Sequence, residues 1–474
     1  MHICPDCPTF LGMAPSQRDH IFLIFQYPDR SAMMLCAPRC AGRKRASAEL
    51  QRLQRSTTRA GKISRPLSPP TQGSIVMAQF SAADPVVILS FARTPMGAMQ
   101  GALADVSATD LGATAVRAAV ERSGVAGDKF ERIYMGCVLP AGLGQAPARQ
   151  AAIKAGLPAS VQATTVNKVC GSGMQTLIMG AEALASGAID YVIAGGMESM
   201  TNAPYLLKKH RSGARIGHDT AYDHMFLDGL EDAYEPGRAM GTFAQDTANT
   251  YQLTREAQDA YTIESLRRAQ SAIAQGRFAA EIAPVTVKSR SGEVLVDTDE
   301  APGKAKLDKI PTLKPAFAKD GTITAATSSS ISDGAAALVL TRQSVATAEG
   351  LVPVAKVVAL AAHAQAPKDF TTAPVGAITK LLDRAGWSIG DVDLFEVNEA
   401  FACVAMFAMH DLGIAHDKIN VNGGATALGH PIGASGARIV TTLIGALQDR
   451  GLTKGVASLC IGGGEATAVA IEII

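Results

Sequence analysis

The sequence predicts an α/β protein of two similar halves with a separate segment inserted between them, and three observations carry that prediction. From Met77 onward, β-branched runs alternate with Ala-rich helical patterns. The order strand, Gly-rich turn, helix, strand, Gly pair then occurs twice along the chain. Between the two occurrences, Thr201 to about Asp320 is charge-rich and carries His210, His218 and His224.

Each element has a local reason. Val86-Val-Ile-Leu-Ser90 is an apolar β-branched run and reads as a strand. Ala108–Glu121 places Leu111, Ala115 and Val116 on one helical face. Glu121-Arg-Ser-Gly124 leads to the strand Arg132-Ile-Tyr-Met-Gly136, and Asp383-Arg-Ala-Gly386 leads likewise to Asp393-Leu-Phe-Glu-Val397. In the first half, Asn167–Gly173 opens a helix, and the strand Tyr191–Ala194 ends in Gly195-Gly196. In the second, Asn422-Gly-Gly and Gly433-Ala-Ser-Gly436 open a helix, and Val456–Cys460 ends in Gly462-Gly-Gly464. Two such units face each other with their strand-end loops meeting at one cleft. The inserted segment mixes a helix over Thr254–Gln275 with short strands and reads as a loop domain over that cleft. The halves are taken as 77–200 with 321–345 and 346–474, and the loop domain as 201–320.

Composition narrows the function classes. The chain has 474 residues, 44 Lys+Arg and 43 Asp+Glu, so its net charge of +1 lacks the basic excess of a nucleic-acid binder. At 47% hydrophobic and 18% charged it is not a disordered chain. Ile21–Phe25, an apolar run near the start, is far short of the ~18–20 residues of a membrane helix.

The near-zero charge is a sum of two unlike parts. Residues 1–76 hold 11 Lys+Arg and 4 Asp+Glu, with 4 of the 8 cysteines and 8 of the 23 prolines. Cys4-x-x-Cys7 with Cys36-x-x-x-Cys40 has ligand-like spacing, but the Gly-turned knuckles of a zinc site are missing. The Arg-rich stretch 31–70 has a transit-peptide composition, yet the first seventeen residues lack Lys and Arg. The reading adopted is a non-functional or disordered leader, with the working chain starting at Met77, after a Gln72-Gly-Ser74 whose codons can hold a ribosome-binding sequence. The remaining cysteines, Cys137, Cys170, Cys403 and Cys460, lack paired spacing and fit a reducing compartment. The compartment expected is cytoplasmic, or mitochondrial if the Arg-rich head is a transit peptide.

Four residues stand where chemistry can sit. Cys170 lies at a strand-to-helix turn, where free amides favour a thiolate and a lowered pKa is expected. His430 sits between a Gly and a Pro in a loop, Cys460 at a strand end before three glycines, and Asn398 just after an apolar strand. Each, taken singly, is as readily a packed core or turn residue. Together they are spread over both halves at strand ends and Gly-rich loops. Cys with His is an activated-nucleophile pairing, and a second Cys beside them can act as acid or base.

At these residues the chain resembles the thiolases, of the acetyl-CoA acetyltransferase type. The resemblance covers residues 79–474. It rests on Asn167-Lys-Val-Cys-Gly-Ser-Gly-Met174, Gly195-Gly-Met-Glu-Ser-Met200, Asn398-Glu-Ala-Phe401, Asn422-Gly-Gly with Gly429-His-Pro-Ile-Gly-Ala-Ser-Gly-Ala-Arg438, and Cys460-Ile-Gly-Gly-Gly464. It implies duplicated halves in a five-layered αβαβα arrangement and a homotetramer, with a dimer as the alternative. It implies that Cys170 accepts the acyl group, His430 takes the thiol proton, and Cys460 removes the α-proton of the incoming acetyl-CoA. Asn398, through a water, and His430 would form an oxyanion hole for that thioester. The backbone amides of Cys170 and Gly462 would form a second hole, each donor worth ~3–4 kcal/mol.

The resemblance also implies substrate contacts at His224 and Met225, at Leu313, Phe317, Ala325 and Ser329 along a pantetheine tunnel, and at Phe401 near the thioester. The implied reaction is the condensation of two acetyl-CoA to acetoacetyl-CoA and CoA, within fatty acid metabolism. Coenzyme A is then substrate and product; no metal or other cofactor, nucleic acid or membrane partner is expected. A degradative 3-ketoacyl-CoA thiolase of longer chains and a catalytically silent lipid-binding relative are the alternatives. A β-ketoacyl synthase would pair its nucleophile with His-His or His-Asn, so Cys460 argues against it. Three positions depart from the family pattern: Thr327 replaces an Asn, Phe370 a Met and Glu465 a Met. Thr327 is expected to swap one local hydrogen bond for another, and Phe370 bears on the acyl-pocket shape.

Overall fold

The computed structural model describes residues 83–289 and 292–474. The expectations for the leader and for Cys4, Cys7, Cys36 and Cys40 lie outside the described residues.

The first half contributes strands β1 Val86–Arg93, β2 Arg132–Gly136, β3 Gln162–Val166, β4 Tyr191–Ser199 and β5 Ser332–Arg342. The second contributes β6 Ala355–Ala364, β7 Leu394–Val397, β8 Lys454–Ile461 and β9 Glu465–Ile473. Spatially the first half runs β1-β5-β4-β2-β3 and the second β6-β9-β8-β7. A single parallel bridge, Phe395 to Ile419, stands where the second half would have its counterpart of β3. Strand directions match as well. β4 pairs parallel with β2 and antiparallel with β5, and β8 pairs parallel with β7 and antiparallel with β9. Even the irregularity repeats, since the register shifts after Ile88 in β1 and after Val357 in β6. The halves meet through Val87–Lys356 and Ile88–Ala355.

Helices α1 Ala108–Ser123 and α2 Pro147–Lys154 belong to the first half, followed by α3 Ser172–Ala185. The inserted segment holds α4 Met240–Thr250 and α5 Arg255–Ala274, with Thr254 as N-cap of α5 and Gln275 as its C-cap. The second half adds α6 Ala373–Ala385, α7 Ala402–Leu412 and α8 Ile432–Arg450. α3 and α8 lie against each other and between the two half-sheets, α1 packs on the outer face of the first and α6 on that of the second. Three apolar cores fill the spaces. One joins α1 and α2 to the first sheet, one surrounds α3 and α8, and one joins α6 and α7 to the second sheet. The order helix, sheet, helix, sheet, helix is the five-layered arrangement that the resemblance implies.

The central layer explains the glycines at its contacts. A Cβ on Gly173 would come 2.8 Å from the Ala437 nitrogen, and one on Gly436 would come 2.3 Å from the Met174 nitrogen. The two helices therefore touch backbone to backbone. β4 corrects one expectation: it does not stop at Gly195-Gly196 but runs on to Ser199. Glycine is needed there for close approach, since a Cβ on Gly196 would lie 2.0 Å from the Gly433 carbonyl oxygen.

Candidate active site

Cys170 follows β3 through a tight turn. Val169 holds φ at 46°, a strained value for a β-branched residue. The turn is laced by side chains. Asn167 Oδ1 accepts from the Val169 N–H at 3.0 Å, and Ser172 Oγ accepts from the Lys168 N–H at 2.8 Å. Ser172 Oγ in turn donates to the Val169 carbonyl at 2.7 Å. Lys168 also pairs with Glu465, which ties the Cys170 turn to the first residue of β9 in the other half.

The thiol itself corrects the expected lowered pKa. Cys170 is half-buried as a residue, but its sulfur is desolvated, which pushes the thiol up to about 11. The N–H groups of Gly462 and Cys170 donate to it and oppose that shift without reversing it. Only the Cys170 amide lies beside the N-terminus of α3, just before its N-cap Gly171; Gly462 follows β8, and desolvation outweighs both donors. Those same two amides form a convergent pair of donors.

His430 is buried, and its main-chain N–H donates to the Ser330 carbonyl at 3.1 Å. Its Nδ1 bonds to Ser435 Oγ, and Ser435 donates its one hydroxyl proton to the Pro431 carbonyl at 2.9 Å. Ser435 must then accept from Nδ1–H, which leaves Nε2 as the basic nitrogen. Nε2 is buried without a partner among the described residues. Burial, then the charge of Arg438, push the imidazole down to about 3, so it rests neutral.

Cys170, His430 and Gly462 line one narrow cavity of about 60 Å³ with Ser329, Phe370 and Phe401. Gly229, Leu230 and Met240 of the inserted segment close its other side. Both halves and the insertion thus meet at the thiol. Cys460 is fully buried on β8, and burial, together with the charges of Cys170 and Cys403, holds its thiol well above the ordinary range. Asn398 is buried just after β7, and its Nδ2 has no partner among the described residues; neither it nor Cys460 lines the cavity that holds Cys170.

The other expected substrate residues divide. Met225 packs in an apolar cluster that reaches Cys170. His224 is occupied structurally. Its Nδ1 bonds Asp228 at 2.7 Å, and its Nε2 accepts from the Ala141 N–H at 3.3 Å. Phe317 stands edge-on to Phe401, with ring centres 5.8 Å apart. Leu313 and Ala325 line a neighbouring cavity of about 440 Å³ whose wall carries Lys304, Lys306 and Lys309. The 325–330 segment borders both cavities, with Ser329 in one and Ser330 in the other. Thr327 makes its local exchange with Thr324, accepting from the Thr324 N–H at 2.8 Å. Among the described residues no group of three or more His, Cys, Asp or Glu converges as a metal site, and no helix is long and apolar enough to cross a membrane.

Two supporting carboxylates were not singled out by sequence reasoning. Glu198 accepts from the amides of Val138, Leu139 and Gly433 at 2.9 to 3.1 Å, holding the His430 loop to the first half. Burial pushes it up to about 7 despite those donors. Glu399 is bonded by Tyr261, Ser265, Asn420 and Thr426, which anchors the inserted α5 beside Asn398.

Comparison with known proteins agrees with this geometry. The family model described as thiolase, N-terminal domain, matches residues 86–344, and that described as thiolase, C-terminal domain, matches residues 351–473. The acetyl-CoA acetyltransferase of Thiocystis violacea is 46% identical over 391 residues, 82% of this chain and 99% of its own. That of Escherichia coli is 47% identical over 388 residues, 81% of this chain and 98% of its own. Among solved structures, the Bacillus anthracis acetyl-CoA acetyltransferase superposes with a TM-score of 0.80 at 39% identity, covering 82% of this chain and 99% of its own. A thiolase from Ascaris suum in complex with coenzyme A gives 0.78 at 42% identity, covering 82% and 100%. With both of its domains matched and a thiol, an imidazole and two backbone amides gathered where its halves meet, the chain belongs to the thiolase family.

Proposed function

We propose that this chain is an acetyl-CoA C-acetyltransferase that joins two acetyl-CoA into acetoacetyl-CoA through a Cys170 acyl-enzyme, and runs the reverse thiolysis. The observation that carries the reading is the shared cavity. Cys170 lies under the Gly462 and Cys170 amides, beside an imidazole whose Nε2 is free to take a proton. His430 removes the Cys170 proton as the sulfur attacks the thioester carbonyl. The two amides meet the developing oxyanion, and the departing CoA thiolate receives the proton from His430. Cys460 gives its thiol proton to His430 Nε2 and, as thiolate, takes the α-proton of a second acetyl-CoA. The enolate oxygen faces the protonated His430 and a water held by Asn398 while its carbon attacks the acyl group and expels Cys170 as thiolate. The proton on His430 then passes to Cys170, which resets all three groups.

Phe370 favours acetyl over longer acyl groups, because its ring fills the wall of a cavity only about 60 Å³ in size. The lysine-bearing cavity beside Leu313 and Ala325 suits the phosphates at the far end of a CoA thioester, and Lys306 makes no ion pair among the described residues. Coenzyme A is on this reading substrate and product, with no other cofactor. We also propose a cytoplasmic homotetramer. Tyr205, Leu207 and Ile216 lie exposed on the insertion as apolar surface suited to subunit contact. CoA-dependent cleavage of acetoacetyl-CoA tests the activity. Protein that binds acyl-CoA without cleaving it would favour the silent lipid-binding alternative.

A further inference from the structure

Behind Asn398 lies a cation that this mechanism does not use. Arg438, on α8, is fully buried, and its guanidinium is sparsely partnered. Nη2 donates to Asn398 Oδ1 at 3.5 Å, and Nη1 lies 3.7 Å from Glu396 Oε2. Nε and Nη1 have no hydrogen-bond acceptor among the described residues. Burying a charge so incompletely bonded is a stability cost, and an apolar side chain would serve a core better. Its one hydrogen bond among the described residues points to what it does instead.

A carboxamide turned half a revolution occupies the same space with oxygen and nitrogen exchanged. One orientation of Asn398 offers an N–H donor to the oxyanion-hole water, leaving that water's own protons for the enolate oxygen; the other offers a carbonyl oxygen that takes up one of them. The main-chain bonds of Asn398 leave this choice open. Its N–H donates to the Ser458 carbonyl and its carbonyl accepts from the Ala400 N–H, both at 3.0 Å. A donor fixed against Oδ1 settles it, and Arg438 supplies that donor from a rigid central helix. The unpartnered Nδ2 is then the atom left facing away from Arg438.

We propose that Arg438 is a positioning residue that locks the Asn398 carboxamide with its nitrogen toward the reacting thioester. The inference rests on the acetyltransferase reading above and deepens it. It predicts a selective defect. The carbon–carbon step uses Asn398, whereas acyl transfer to Cys170 uses the backbone amides.

The experiment compares wild type, R438M, R438K, N398A and N398A/R438M in two assays. One is acetyl exchange between acetyl-CoA and isotopically labelled CoA, which reports acyl transfer alone; the other is acetoacetyl-CoA thiolysis. R438M is expected to lower thiolysis kcat roughly 10- to 100-fold with little change in KM, and to leave exchange near wild type, because burial, the larger cause of the low His430 pKa, keeps that imidazole neutral when the Arg438 charge is gone. R438K, which keeps a donor, recovers most of that loss. N398A/R438M is expected to be no slower than N398A, because Arg438 acts through Asn398. Equal losses in both assays, or full multiplication of the two single losses, would overturn the proposal. If R438M does not fold, R438K decides: a partial loss confined to thiolysis supports positioning, and equal loss in both assays contradicts it. Wild-type protein inactive in both assays strikes the acetyltransferase reading itself, which separates the two failures.

Discussion

His430 Nδ1 bonds to Ser435 Oγ, five residues on, and the hydroxyl proton of that serine is already given to the Pro431 carbonyl. Ser435 therefore acts as an acceptor that fixes which imidazole nitrogen is basic. Replacing it by Ala frees the ring to take the other tautomer, with its proton on the nitrogen that should receive one. S435A is expected to lower kcat by on the order of 10-fold while substrate binding changes little. Steady-state kinetics check this, and an unchanged kcat would show that the serine merely fills space.

The Cys170 thiol gives a pH dependence with a definite sign. An acid raised by burial stays protonated through neutral pH, so its thiolate fraction grows about tenfold per pH unit until it approaches about 11. Alkylation of the free enzyme by iodoacetamide, followed on the Cys170 peptide, should accelerate steadily from pH 7 to pH 10. A rate already level at pH 7 would mean that the Gly462 and Cys170 amides outweigh burial.

Phe370 lines the cavity that holds Cys170, and on the proposed reading it limits the acyl group admitted there. Trimming it to Ala opens space beside Cys170, and each methylene accommodated in an apolar pocket is worth roughly 10-fold or more in selectivity. F370A should raise the rate on 3-ketohexanoyl-CoA relative to acetoacetyl-CoA by about that factor. Unchanged relative rates would place the chain-length filter elsewhere.

The Lys168–Glu465 pair joins the two loops that supply the paired amides. Its side chains are 24% and 39% exposed, so solvent screens it and its coupling should stay below ~1 kcal/mol. In a K168M/E465M cycle, each single change should slow acyl transfer by about 2- to 5-fold, and the double change by no more than either. High salt should shrink the effect; independent, multiplying effects would show that the pair does not link the loops.

Much of this was legible in the sequence because its causes are local. The alternation of strands and helices, the helix between Thr254 and Gln275 and the repeated Gly-rich turns each follow from neighbouring residues. The matching strand order of the halves was foreshadowed by their repeated motifs. What stayed hidden depends on three-dimensional surroundings. The run of β4 through Gly195-Gly196 follows from Gly433, more than two hundred residues away. The sign of the Cys170 shift depends on how far the sulfur is desolvated, which a helix-terminus argument does not contain. Glu198, Glu399 and Arg438 sit inside recognisable motifs, but their roles come from partners brought together only by folding.

On the proposed mechanism Cys170 carries the acyl group. Incubating the protein with acetyl-CoA, quenching in acid and mapping peptides by mass spectrometry tests it most directly. The account predicts one added acetyl group on the Cys170 peptide, absent in C170A and discharged by added CoA. An unmodified Cys170 peptide from protein that turns over acetoacetyl-CoA, or an acetyl group on Cys460 instead, would contradict it.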